Sequence, residues 1–482
     1  MKKTHKAFYI FLCFMLPAII SCTAKEKKEA PVKEKETEAA AKSEAAEAVR
    51  ESLPEVNYKG RPFRIVCDEG TLAAKDFISE TINGDLLNDA VYNRNLEIEE
   101  RFGITLEARI NGYGPEFTQN LKKSIMAGDD MCEVAMGMYN TYSGITAMMY
   151  EKNFIEWGEM KHIDLDKPWW DKNVIRDICF AGKVYCMTGD FNPSTLGNTR
   201  IIIFNKNLFK NLGIEFPYQK VIDGKWTYDE FFKICAQGEA DLNGDGIISY
   251  KDDRFGYIGW HCDQPESLFY GLGGSYTVKD ENGFPAFNLN NEKTSGIIDR
   301  IAELFTPGNG GWTNVVEWGV DLSMFDEGRS LMANSRFWLL NASFRNMTDD
   351  FGILPHPKMN EEQNGYMQSV DGVCTMAYVP ITNNDLEFTG IILEALAAES
   401  YRTVMPEYYN VVLTVKNTRD EESADMVDLI KNSRAYPVQL ETFNIMTIAD
   451  FAIKHENNLI SVYEKKESAG LKELEKIINE YG

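Results

Sequence analysis

The densest group of potential ligating side chains is the run Asp241-Leu-Asn-Gly-Asp-Gly-Ile-Ile-Ser-Tyr-Lys-Asp252. Asp241, Asn243 and Asp245 stand at positions one, three and five of a twelve-residue calcium loop, and Gly246 stands at its sharp turn. Ile247 offers a carbonyl, Ser249 the ninth position and Asp252 the twelfth, where a bidentate Glu is usual. Carboxylates this close repel one another unless a cation neutralises them. The expectation is a structural calcium ion of modest affinity, with Asp253 competing for the role of Asp252 and an Asx-rich turn holding water as the alternative. No other cofactor is expected. Turnover finds less support: beyond His5 the histidines are His162, His261, His356 and His455, and no HExxH, GxSxG or phosphate loop appears. A glycoside hydrolase needs two poised carboxylates. With 74 acidic residues such pairs are inevitable and therefore uninformative.

Cys22 carries a different chemistry. Lys2, Lys3 and Lys6 precede an apolar run from Ala7 to Ile20 that is too short to span a bilayer, which is the pattern of an export signal over residues 1–21. Ile19-Ile20-Ser21-Cys22 then reads as a lipobox, which makes Cys22 the expected site of lipidation, with palmitate among its acyl chains. Residues 22–55, rich in Glu, Lys and Ala, are expected to form a solvated tether. The location follows: lipid-anchored on the outer face of the cytoplasmic membrane, or on the periplasmic side where an outer membrane exists.

The chain of 482 residues is long for one domain, and its 44% hydrophobic content supports a sizeable core. Its formal net charge of −24 argues against nucleic acid and anionic lipid surfaces as partners. Of nine cysteines, Cys67, Cys132, Cys179, Cys186, Cys235, Cys262 and Cys374 remain beyond the anchor, dispersed and odd in number. They read as free thiols rather than a disulfide framework.

Hydrophobic patterning positions the rest. Arg61–Cys67 and Ile104–Ile110 are β-rich, and Leu86–Phe102 between them is helical, giving a β–α–β unit with parallel strands. A helix near Glu116–Ala127 and a strand at Cys132–Met138 repeat the pattern, as in a doubly wound α/β arrangement. A second block begins after Gly182, with Ile201–Phe204 as a continuous apolar strand. Thr227 and Glu230 have the spacing of a capping box, and Asn458–Tyr481 is an amphipathic helix. Tyr139, Asn140 and Tyr142 follow the strand at Cys132–Met138, at the carboxyl end where open α/β sheets bind ligands. Trp169 and Trp170, adjacent in Pro168-Trp-Trp-Asp171, point to opposite sides and so are hard to place together in a core.

Several runs resemble the extracellular solute-binding proteins of carbohydrate ABC transporters, the family that includes maltose-binding protein. They are Gly84–Arg94, Gly182-Lys-Val-Tyr185 before Arg200-Ile-Ile-Ile-Phe-Asn-Lys206, Asn211–Pro217 followed by Gly224–Phe231, and Asp349–Lys358 followed by Gln363 and Tyr366. Lys416, Arg419-Asp420 and Met426–Ile430 complete the set. The resemblance implies a two-lobe periplasmic-binding-protein-like α/β fold with a hinge and an interlobe ligand cleft. Lobe one would comprise 56–185 and 370–432, and lobe two 186–369 and 433–482. It implies that Trp169, Trp170, Asp190, Trp260, Arg336, Phe337, Trp338 and Asp371 join Tyr139, Asn140 and Tyr142 around a ligand. A sugar asks for such a set: aromatic plates for its C–H faces, and carboxylates, amides or Arg for its hydroxyls.

The function implied is capture of a carbohydrate by a monomeric, non-enzymatic lipoprotein, and its delivery to a permease pair driven by a cytoplasmic ATPase. Capture of another solute such as a peptide, and surface polysaccharide degradation, are the alternatives.

Overall fold

The computed structural model describes residues 49–413 and 421–481; Cys22, most of the expected tether, and Lys416, Arg419 and Asp420 lie outside the described residues. The tether expectation fails at its end. Glu51, within the 22–55 segment, is bound to Arg101 and, at 2.9 Å, to Arg402. Burial raises its pKa, but the two guanidinium bonds outweigh that and hold it at about 2. The folded unit therefore begins near Arg50.

Two sheets organise the chain. Strands β1 (Arg61–Cys67), β2 (Ile104–Ile110) and β3 (Val134–Met138) come first, then β4 (Arg200–Asn205), β5 (Phe255–Trp260), β6 (Thr277–Lys279), β7 (Pro285–Phe287), β8 (Gly311–Asn314) and β9 (Ser330–Arg336). The last four are β10 (Phe351–Leu354), β11 (Gln368–Ser369), β12 (Thr375–Tyr378) and β13 (Arg434–Ala435). The first sheet has the order β12-β3-β1-β2, and β1 runs parallel to both β2 and β3. The second has the order β10-β4-β9-β5-β8, with β5 parallel to β8 and β9.

The predicted β–α–β unit is present. Its helix, Leu86–Phe102, starts at Asp85, whose side chain accepts from the Asn88 amide, and stops at Gly103 in the left-handed region at φ 58°. The apolar run Ile201–Phe204 lies in β4, every residue of which is buried, as a strand covered on both faces must be. The capping box at Thr227 does not form. Thr227 starts the helix Tyr228–Gly238 but makes no side-chain cap bond. Lys358 O accepts from the first helical amide instead, and Glu230 is paired with Lys220.

Three segments run between the sheets and lie against one another. Thr199 bridges Val370, the Asp371 amide donates to Asn198 O at 3.0 Å, and β11 pairs with β13. These are the hinge strands of a two-lobed α/β molecule. Lobe membership of the late helices differs from the expected boundaries. Met426, Val427 and Ile430 of the helix Glu421–Asn432 belong to the hydrophobic core of the second lobe, beside β10. All seven cysteines in the folded part are unpaired.

Candidate ligand-binding cleft

The cleft is built where strand ends from both sheets meet the hinge. On the first lobe β3 runs out at Met138, and the turn behind it is held by Ser143, whose amide donates to Asn140 Oδ1 at 2.9 Å and whose hydroxyl donates to Met138 O. That turn fixes Asn140 and leaves Tyr142 63% exposed, edge-on to Tyr113 at 6.4 Å. On the second lobe β5 ends in Trp260, β8 leads into the loop bearing Trp318, and β9 ends in Arg336. Trp318 stands half exposed, edge-on to Trp260 at 5.6 Å, and the Arg336 guanidinium sits 5.7 Å from its ring centre. The segment 437–446 closes a third side with Val438, Leu440, Phe443 and Met446. A cavity of about 280 Å³ lies between the Asn140–Tyr142 turn, the hinge, the helix bearing Asp263 and Glu266, and this segment; Arg336 reaches it only through its pairs with Asp263 and Asp371.

Its floor is a buried ion network. Arg200, which opens β4, pairs with Glu266 and, at 3.0 Å, with Asp263, both on the helix Asp263–Gly271. Arg336 pairs with Asp263 and with Asp371 of the hinge. Burial disfavours the charge on Asp371, but Arg336 and then Arg200 outweigh it and hold that carboxyl below the usual range. For Glu266 burial wins over the attraction of Arg200, and its pKa is raised. Buried charges persist only when paired in this way.

The predicted ligand residues divide into two groups. Asn140, Tyr142 and Asp371 line this cavity, Arg336 pairs with its lining residues Asp263 and Asp371, and Trp260 stands outside the lining, edge-on to Trp318. Tyr139 is buried beneath it and donates through its hydroxyl to Pro437 O at 3.0 Å. Trp169 and Trp170 are not cleft plates. Both indoles are buried, and their N–H groups donate to the two oxygens of Glu394 at 3.1 and 2.9 Å. One carboxylate thus serves both neighbouring rings, which is how adjacent tryptophans fit in one core. Asp190 is paired with Lys431 at 3.1 Å and borders, with Trp170 and Arg434, a separate cavity of about 400 Å³. Phe337 is core, and Trp338 is half-buried against the same core, because the helix Phe337–Ser343 turns away once Arg336 has reached the cleft.

Sequence reasoning missed Arg200, Asp263, Glu266 and Trp318. Two signals were present. An arginine opening an otherwise apolar buried strand demands carboxylates, and Asp263 and Glu266 share one helical face three residues apart. Trp318, alone in a loop, carried none.

In the 241–252 loop, Asp241 accepts from the Gly244 and Gly246 amides at 2.7 and 2.8 Å, and Asp245 accepts from the Ile247 amide at 2.8 Å. Asp253, not Asp252, turns inward and accepts from the Leu242 and Ser249 amides, each at 2.8 Å. The donor types fit calcium, but the twelfth-position ligand is not in place. No group of three His, Cys, Asp or Glu side chains that could hold a metal ion is assembled among the described residues.

No family model matches the sequence, and no curated protein matches it. Solved structures do match in fold. Mycobacterium tuberculosis UspC superposes with a TM-score of 0.57 at 11% identity, covering 85% of this chain and 99% of that one. The Listeria monocytogenes ABC substrate-binding protein Lmo0181, in complex with cycloalternan, gives 0.53 at 12% identity over 85% and 98%. The cyclic α-maltosyl-1,6-maltose binding protein of Arthrobacter globiformis gives 0.53 at 13% identity over 87% and 100%. This chain has the two-lobe fold of ABC-transporter substrate-binding proteins. The Listeria and Arthrobacter neighbours are named as binding proteins.

Proposed function

We propose that this protein captures a carbohydrate, an oligosaccharide in the first instance, between its lobes without altering it, and passes it to an ABC permease pair served by a cytoplasmic ATPase. The observation that carries this reading is the cavity at the hinge, where the exposed Tyr142 of one lobe shares a lining with Arg200, Asp263, Glu266 and Asp371 and with the apolar Val438, Leu440 and Phe443. Rings stack on sugar C–H faces, and the polar floor takes hydroxyls. The substrate-binding fold supports the reading, and so do neighbours whose bound or named ligands are cyclic and linear glucans. A hinge suits capture, because closing the lobes removes water and strengthens each polar contact inside.

The protein works as a monomer outside the cytoplasmic membrane, held there by a diacylglycerol on Cys22. Among the described residues no helix is long and apolar enough to cross a membrane. Globomycin-sensitive processing and loss of membrane association in Cys22→Ala test that part.

Calorimetric titration with linear and cyclic glucan oligosaccharides, monosaccharides and peptides tests the capture. Saturable binding of an oligosaccharide with no product by chromatography is expected. At a hundredfold excess over Kd the ligand should add about 2.7 kcal/mol of stability. Cleavage of the glycan, or binding of peptides alone, overturns the proposal.

A further inference from the structure

The cleft floor fixes which sugars suit it. An acidic sugar needs an unpaired cation in the cavity wall, and the arginine there, Arg200, is already held by carboxylates, as is Arg336 behind it. Arg200 is bound by Asp263 and Glu266 and by the Ser369 hydroxyl at 3.2 Å. Arg336 is bound by Asp263 and Asp371, and Trp318 lies across it. The Nε–H of each arginine is buried with no acceptor. Three acidic side chains, Asp263, Glu266 and Asp371, face two arginines, so the network has no cationic excess to offer an acidic ligand. Among the described residues lining the cavity Arg200 is the sole cation, and no lysine lines it. The whole chain adds to the bias with its formal charge of −24.

Resting on the capture reading above, we infer that this cleft selects neutral glycans and rejects uronic-acid or sulfated ones, and that Glu266 and Asp371 set that selectivity by holding the arginines in ion pairs and adding negative charge to the wall. A carboxylate brought into a space from which water is expelled meets like charge at low dielectric, where repulsion is several times its value in water. A hydroxyl meets only acceptors and pays no such cost. Neutralising either acid removes that negative charge and releases guanidinium donors, which are the groups that recognise carboxylates in pairs.

The test is a titration of wild type, Glu266→Gln and Asp371→Asn with matched neutral and uronic-acid oligosaccharides of one length and linkage, at low and high salt. Wild type should bind the uronate at least about tenfold more weakly than the neutral glycan, with the gap narrowing at high salt. Each variant should close that gap by gaining uronate affinity, a gain that damage to the fold cannot produce. Two variants on different arginines keep the test open should one fail to fold. Equal or tighter uronate binding by wild type overturns the inference while leaving capture standing. So does an unchanged gap in both folded variants. Binding of neither glycan overturns the capture reading itself.

Discussion

Trp318 and the Trp169–Trp170 pair show how the same side chain serves two ends. Trp318 is half exposed and lies against Trp260 and Arg336, so Trp318→Ala should leave the melting temperature nearly unchanged while weakening glycan binding by about tenfold or more. Trp170→Ala should cost about 3–5 kcal/mol by emptying a buried site between Trp157 and Phe191. Thermal melting beside calorimetric titration separates the two. Glu394, which holds both buried indoles, gives a pH signature. Burial lifts its pKa from 4.5 to about 7 against the pull of its donors. Across that window the folded chain keeps a proton that the unfolded chain has released, so this group's contribution is full below about pH 4.5, falls as pH rises and is flat above about 7. The loss amounts to roughly 3 kcal/mol at about 1.4 kcal/mol per pKa unit. Glu394→Gln turns an amide N–H₂ toward an indole N–H, so it should be less stable at pH 5 by about 1–3 kcal/mol and lack this slope. Buried His356, depressed to about 4, acts with the opposite sign at acid pH, so the quantity to read is the difference between wild type and variant in denaturant melts from pH 5 to 8.

At the scale of the element, the 241–252 loop closes on its own amides, with the Asp253 carboxylate as its keystone. Asp241, Asn243 and Asp245 keep the donor types of a calcium loop, so micromolar calcium should raise the melting temperature by several degrees over chelator as Asp252 swings in; superimposable curves would show a closed turn that holds no metal. Elements whose periodicity is set by burial were legible in the sequence: β1, the helix Leu86–Phe102, β2 and β4 all sit where alternation and apolar runs place them. What escaped depended on partners far away in the chain. The Thr227 cap lost its place to Lys358 O, Trp169 and Trp170 were claimed by Glu394 more than 220 residues on, and Asp190 by Lys431. Asn140 was legible because it follows the end of the buried strand β3, where it lines the cavity, and Arg336 ends β9 paired with two of the lining acids. Trp318 and the 437–446 wall lie on loops with no period to read.

For the whole molecule, the hinge strands are not the sole link between lobes. The helix Leu459–Tyr481, about 34 Å long at 1.5 Å per residue, lies across both. Its early turns pack on the second lobe, where Tyr463 stacks on Phe443 at 5.7 Å and meets Phe287 edge-on. Its end reaches the first: Tyr481 is buried among Phe180, Tyr185 and Tyr150, and Lys183 Nζ donates to its carbonyl at 2.8 Å. Lys476 pairs with Glu151 beside it. A strut seated in both cores couples their unfolding, because neither lobe can melt without exposing apolar surface on the other. Wild type should therefore show a single calorimetric transition despite having two cores. Tyr481→Ala removes a buried ring, which should cost about 3–5 kcal/mol, and it removes it from the first-lobe end alone. The first lobe should then melt earlier, splitting the transition in two, while the second-lobe peak keeps its position. A single, uniformly lowered transition in that variant would mean that the three hinge strands suffice to couple the lobes and that the helix merely covers them.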